Sequence, residues 1–193
     1  DYIERTIISV IAQDIYPVRW IIVDDGSTDK TASIIKKYLD RYDWIIYKYR
    51  QKKMGQTYYA SNVYAINKGY AVLKSLNVSF EYLAILDADI EIPRNYYSRL
   101  YSYFIQDSQL GIASGNCFDR FGNILKKNLY DWRSIPKHIM VLRKQCYEDI
   151  GGFIPLRYAG EDTCACFTAR MKGWKTWSTT DIMGIHNKPT GTA

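Results

Sequence analysis

Three pairs of carboxylates and a late histidine are the residues of this chain whose types and spacing could do chemistry. They are Asp24-Asp25, Asp87 and Asp89 with Ala88 between them, Glu161-Asp162, and His186. The middle pair closes the apolar run Tyr82-Leu83-Ala84-Ile85-Leu86, which reads as a short buried strand. Side chains alternate faces along a strand, so Asp87 and Asp89 are expected to point the same way where the strand leaves the sheet. Two hard oxygen ligands there suit Mg²⁺ or Mn²⁺, above all an ion already holding a diphosphate, because such ions take only one or two protein carboxylates. The plainer alternative is a strand end whose aspartates cap the following turn. Glu161-Asp162 likewise has a structural explanation, since a helix dipole favours carboxylates in the first turn. A lone histidine near a chain end is more often a surface or supporting residue than a ligand, and His186 is weighed accordingly.

The elements that must position these groups follow from periodicity. A helix is expected over 2–14, with Ile3, Ile7, Ile8, Val10 and Ile11 near helical spacing and Pro17 beyond its end. A strand over 20–23 leads into Asp24-Asp25-Gly26-Ser27-Thr28-Asp29, where Ser27 or Thr28 could cap a helix over 30–42. A strand over 44–49, a long helix over 58–76 and the central strand over 82–89 follow. This β-α-β-α-β order predicts an α/β fold with a Rossmann-like, mostly parallel central sheet flanked by helices. Ligands of such sheets gather at the carboxyl ends of the strands, which would bring Asp24-Asp25 and Asp87/Asp89 to one pocket. Beyond Asp89 the pattern gives a helix over 94–106 and a strand over 111–118. Gly122-Asn123 is a hairpin signal that makes a small antiparallel addition. A strand over 139–142, a helical turn over 146–150, a helix from Gly160-Glu161-Asp162 to about Lys172 and a last strand over 174–178 complete the chain. Trp174 and Trp177 read as core, and His138 as structural.

At 193 residues the chain is bounded to one domain with a sizeable core. A net charge of +6 suits an anionic partner such as a nucleotide diphosphate or an acidic membrane surface. The basic residues cluster only locally, as in Arg50-Gln51-Lys52-Lys53 and Lys126-Lys127, so no nucleic-acid partner is indicated. Cys117, Cys146, Cys164 and Cys166 form no CxxC pair, which argues against structural zinc and for free thiols in a reducing, cytoplasmic setting. No stretch has the roughly 18–20 apolar residues of a membrane helix.

Taken in order, Ile21-Ile22-Val23-Asp24-Asp25-Gly26-Ser27-Thr28-Asp29, Leu86-Asp87-Ala88-Asp89, Ile150-Gly151-Gly152-Phe153, Gly160-Glu161-Asp162 and the helix closing at Lys172-Gly173 resemble glycosyltransferase family 2. These are inverting nucleotide-sugar transferases with the GT-A fold. The resemblance implies a single catalytic domain over 1–193 that moves a sugar from a UDP- or GDP-sugar to a sugar or lipid-linked acceptor, with Mn²⁺ or Mg²⁺. It implies that Asp25, with Asp24 beside it, holds the nucleoside. Asp87 and Asp89 would be the DXD pair, with Asp89 the more direct metal ligand and His186 approaching the same ion. Asp162 would be the general base, supported by Glu161. The family's first strand would precede Asp1 and is expected to be missing. Ala65-Ile66-Asn67 stands where the family often has Ala-Arg-Asn, leaving Asn67 as a donor contact without the arginine. A lipid-linked acceptor would place the chain at the cytoplasmic face of a membrane, as a peripheral protein.

Three other readings compete. A phosphotransferase with an Asp-x-Asp nucleophile would want a different residue pair than Ile90-Glu91 after the aspartates. A sugar-nucleotide pyrophosphorylase would want a Gly-rich loop near its start. A nucleotide-sugar-binding module that has lost catalysis would bind donor tightly without turnover, and Ile66 keeps that reading open.

Overall fold

The computed structural model describes residues 2–52, 55 and 57–189, so Asp1 and Lys53 lie outside it. Among the described residues fourteen helices and strands form, in the expected order but for β4, which periodicity does not mark: α1 (Tyr2–Ile11), β1 (Trp20–Asp24), α2 (Thr31–Leu39), β2 (Ile45–Tyr49), α3 (Tyr58–Ser75), β3 (Tyr82–Ala84), β4 (Ile90–Glu91), α4 (Tyr96–Gln106), β5 (Leu110–Phe121), β6 (Ile124–Asn128), β7 (Met140–Arg143), α5 (Lys144–Asp149), α6 (Glu161–Met171) and β8 (Lys175–His186). A short 3₁₀ turn, Lys137–Ile139, precedes β7.

The sheet is mixed. β1 and β2 form a parallel pair, as their β-α-β sequence predicts. The remaining strands form a second sheet in the order β3-β7-β5-β8-β4, with β6 added to β5. Within it β5 and β8 are parallel, whereas β7 runs antiparallel to both β3 and β5, and β4 antiparallel to β8. The parallel expectation held for β1 and β2, joined through α2; in the second sheet β7 breaks it by inserting between β3 and β5 in reverse direction, and β4 breaks it by running against β8. β5 and β7 are buried on both faces, as continuous apolar runs should be. Ala113, Cys117 and Val141 face α4 residues Tyr96, Leu100 and Phe104. Ile112, Met140 and Leu142 face α5 and α6 through Cys146, Tyr147, Ala165, Cys166 and Ala169. A third cluster, Ile3, Ile7, Ile22, Ile34, Ile35 and Ile45, joins α1 and α2 to the β1–β2 pair.

Two strand boundaries differ from the periodicity. β3 ends at Ala84, although the ladder to β7 continues through Ile85 N to Met140 O (2.8 Å) and Asp87 N to His138 O (3.0 Å). Asp89 therefore sits in a turn and not on the strand. β8 runs on to His186 instead of stopping at Ser178, because its polar stretch Thr179-Thr180-Asp181 is absorbed in a bulge. There Ser114 pairs with Ser178 but Asn116 pairs with Met183. The Asn116 amide donates to Thr179 O (2.6 Å) and Ser178 Oγ (3.1 Å), satisfying the bulged segment. Opposite it, a Cβ on Gly115 would lie 2.6 Å from Ile182 O, so only glycine fits. The start of α2 is held by Asp29, whose carboxylate accepts from Thr31 N (2.9 Å), and not by Ser27 or Thr28.

Among the described residues, one edge of β1 and one edge of β3 pair with no strand. Between those edges lies a cavity of about 1450 Å³, walled by Ile21 and Val23 on one side and Leu83 and Ile85 on the other.

The Tyr96 hydroxyl fastens α4 to the sheet, donating to Ile139 O (2.5 Å) and accepting from Gly115 N (3.0 Å) in a fully buried site. Tyr96→Phe leaves both backbone groups unpaired, and urea unfolding should show a loss of about 2 kcal/mol or more.

Candidate functional site

Asp24 and Asp25 stand at the carboxyl end of β1 but do different things. Asp24 is 4 % exposed, and its two oxygens accept from Ser27 N and the Tyr47 hydroxyl, each at 2.8 Å. That carboxylate shapes the turn after β1. Burial and then the Asp24 carboxylate push Tyr47 up to about 12, so it stays a donor. Asp25 faces the cavity, in contact with the Arg50 guanidinium from the end of β2 and the Ser61 hydroxyl of α3. The cation beside Asp25 thus comes from Arg50, while position 66 holds isoleucine.

Asp87 and Asp89 line the same cavity as Asp25. Their loop is pinned on both sides: Thr6 of α1 donates to Ala88 O (2.9 Å), and Asn187 N donates to Asp89 O (2.9 Å). Burial raises the Asp87 carboxyl above the ordinary range, opposed by the Lys137 ammonium and a hydrogen bond from Asn62. Asn62, on the same helix as the expected donor contact Asn67, is the asparagine that reaches Asp87. Asn67 itself is exposed outside the cavity and accepts from the Tyr147 hydroxyl at 3.5 Å.

The bulge in β8 carries His186 to this cluster. Its Nε2 lies 3.7 Å from Asp89 Oδ2 and its Nδ1 3.2 Å from Asp119 Oδ1. Asp119 is the β5 residue in register with His186, and its other oxygen accepts from the Asn128 amide (2.9 Å). A carboxylate on one ring nitrogen fixes the ring and leaves the other aimed at Asp89, the usual support for a ligating histidine. His138 is more than a filler: its ring stacks on His186, with centroids 4.9 Å apart. Its Nε2 meets the Tyr130 hydroxyl at 3.0 Å. Burial, and then the His186 charge, push His138 down to about 3. Burial works against a charged His186, but Asp89 and Asp119 more than offset it and raise the ring above its ordinary value. Of the stacked pair, His186 therefore has the higher affinity for a proton.

Glu161 and Asp162 open α6, after Ala159 and Gly160 with φ of 71° and 95°. Ala159 in the left-handed region is a local strain of the kind held at functional turns. Glu161 is 2 % exposed and takes the Lys137 ammonium at 2.8 Å; Asp162 is half-buried beside it. Glu161 Oε2 is buried without a hydrogen-bond partner among the described residues. Lys137 faces Asp87, Glu161 and Asp162 together, so it joins the α6 carboxylates to the cavity. Neither Glu161 nor Asp162 walls the cavity itself. Trp174 packs against the core, but Trp177 is exposed (49 %), contrary to its reading as core.

Lys137, Asp119, Asn62 and Arg50 were missed as site residues. Each reaches the site by strand register or helix packing that leaves no mark in local sequence. Among the described residues no three His, Cys, Asp or Glu side chains form a cage for an ion on their own.

The sequence matches the family described as Glycosyl transferase family 2 over residues 1–162. It is 28 % identical over 116 residues to the poly-beta-1,6-N-acetyl-D-glucosamine synthase of Staphylococcus aureus strain MSSA476, covering 60 % of this chain and 25 % of that protein. The homologue from strain COL is 28 % identical over 114 residues, covering 59 % and 25 %. This chain thus spans about a quarter of the length of these relatives. Among solved structures it resembles the mannosyltransferase PcManGT from Pyrobaculum calidifontis in complex with GDP-Man and Mn²⁺, with a TM-score of 0.71 and 17 % identity over 98 % of this chain and 54 % of that one. S. aureus TarS 1–349 gives a TM-score of 0.73 at 16 % identity, covering 97 % and 57 %. GalNAc-T7 with UDP, GalNAc and Mn²⁺ gives 0.72 at 13 %, covering 98 % and 42 %. These likenesses show the GT-A fold.

Two outcomes test the electrostatics. Lys137→Met strands a buried Glu161 and should cost about 3–5 kcal/mol in urea unfolding, whereas Lys137→Met with Glu161→Leu should recover most of it. His138 has a folded value of about 3 against an ordinary 6.5, so the unfolded chain takes its proton first as pH falls. The stability this residue contributes is present above pH 6.5 and lost as pH falls toward 3, at roughly 1.4 kcal/mol per pH unit. His138→Asn should flatten that part of the unfolding profile measured between pH 7 and 4.

Proposed function

The chain belongs to glycosyltransferase family 2, and on that footing we propose that it carries the donor and base sites of a metal-dependent, inverting transfer from a nucleoside-diphosphate sugar to an acceptor hydroxyl. The observation that carries the reading is the convergence of Asp25, Asp87 and Asp89 on one cavity, with the α6 carboxylates joined to it through Lys137.

In this reading Asp25 holds the base or ribose, positioned by Arg50 and Ser61. Asp89 and His186, 3.7 Å apart, and Asp87 beside them would hold Mn²⁺ or Mg²⁺. A carboxylate and an imidazole suit such an ion if diphosphate and water complete its shell, which fits the lack of an all-protein cage among the described residues. When bound, the ion would neutralise charge growing on the departing diphosphate. Asp162 takes the proton of the acceptor hydroxyl, and a single displacement inverts the sugar carbon. Glu161, committed to Lys137, holds the position of Asp162 and leaves the proton to it. The GDP-Man and UDP complexes of the structural neighbours support a nucleotide-sugar donor, and the name of the poly-beta-1,6-N-acetyl-D-glucosamine synthases supports a sugar acceptor.

A second reading, a nucleotide-sugar-binding module without turnover, draws on Ile66, which replaces the family's arginine on the cavity wall. One experiment separates the two: binding and turnover of UDP- and GDP-sugars with Mn²⁺ or Mg²⁺. Asp89→Ala should abolish metal-dependent donor binding. Asp162→Asn should keep binding while turnover falls about 10²–10⁴-fold. Wild-type binding without any turnover supports the module instead, and metal-independent binding sinks the metal assignment.

A further inference from the structure

The β5–β6 hairpin extends past the sheet as a two-stranded ribbon, since among the described residues β6 pairs with β5 alone. Its two-residue turn, Gly122-Asn123, is flanked by the pairs Phe121↔Ile124 and Arg120↔Leu125. Successive pairs lie on opposite faces of a ribbon, so apolar side chains stand on both faces of the tip. Phe121 is 44 %, Ile124 69 % and Leu125 45 % exposed. Behind them Lys126 and Lys127 are exposed on opposite faces, and no acidic residue occurs from Arg120 to Lys127. Arg120 is turned inward, its Nε donating to Asn187 Oδ1 at 2.8 Å, and ties the ribbon to the segment after β8.

A flat apolar face would suit another protein surface. An apolar point with both faces exposed, backed by two cations on a chain of net charge +6, suits the boundary between lipid headgroups and acyl chains. The same charge opposes a second copy as the partner. We propose that the β5–β6 tip docks on an anionic lipid surface, with Phe121, Ile124 and Leu125 entering the boundary and Lys126 and Lys127 meeting lipid phosphates. Asp119, two residues before Phe121, touches His186, so docking would set the donor site close above the bilayer. No helix among the described residues is long and apolar enough to cross a membrane, and the hairpin would supply peripheral attachment only.

Flotation with vesicles tests this without any need for turnover, so its result stands apart from the transferase reading. Wild type should float with phosphatidylcholine–phosphatidylglycerol vesicles, bind phosphatidylcholine alone about tenfold or more weaker, and release with salt. Phe121→Ser/Ile124→Ser/Leu125→Ser should lose binding by about tenfold or more. Lys126→Gln/Lys127→Gln should weaken it by about fivefold per lysine. Both variants should keep the wild-type thermal midpoint, because the altered side chains are exposed. Wild-type-like flotation of the triple variant, or no flotation of wild type with anionic vesicles, overturns the proposal. So does a wild-type dimer in sedimentation velocity that the triple variant lacks, which would make the tip a contact between copies.

Discussion

Crowding of like charge is the constraint on which this structure depends. Asp87, Asp89, Asp119, Glu161 and Asp162 approach one end of the sheet, Glu161 fully buried and the other four partly so, where water screens them less than at an open surface. Carboxylates held this way repel one another unless cations are placed among them. Lys137 is one such cation and His186, whose carboxylate neighbours favour its protonated form, is the other group placed among them; each answers two clusters. Lys137 faces Asp87 on one side and the α6 pair on the other, and His186 stands between Asp89 and Asp119. Neither is free to leave, because the 3₁₀ turn and the end of β8 that carry them are themselves laddered into the sheet. A buried ion pair of this kind is weak evidence for stability and better read as a device that fixes geometry.

The same constraint explains the irregular parts of the fold. β8 could reach Asp89 only by accommodating a polar interruption, and the Asn116 amide together with the missing Cβ of Gly115 makes room for it. Burial, and then His186, lower the proton affinity of His138, so the two imidazoles pack at 4.9 Å without two charges. Ala159 in a left-handed conformation delivers Glu161 into the core at the first position of a helix, where a glutamate with no partner would be costly.

Periodicity and turn residues made most of the elements legible, because apolar spacing reports which side of a helix or strand is buried. The paired carboxylates at strand ends and at the start of α6 were legible for a different reason: their spacing is short-range. What stayed hidden is non-local. Nothing near Asp119 announces that it will stand beside His186, since that follows from the parallel register of β5 and β8. Nothing near Lys137 announces two acidic neighbours from different elements. The tripeptide Ala65-Ile66-Asn67 points to Asn67, but the rotation of α3 turns Asn62 toward Asp87 and leaves Asn67 exposed. The antiparallel β7 was equally invisible, because a strand of four residues carries no mark of its direction.

β5 is the element through which these parts act on one another. Its buried first half fills the sheet between β7 and β8, its Asp119 fixes His186, and its last residues form the exposed ribbon. A strand shared by core, site and tip cannot shift register by one residue without turning Asp119 away from His186 and exchanging the faces of the hairpin. The bulge at Gly115 and the tie from Arg120 to Asn187 hold that register on either side of Asp119. The tip and the cluster are thus joined by a short, laddered segment of one strand.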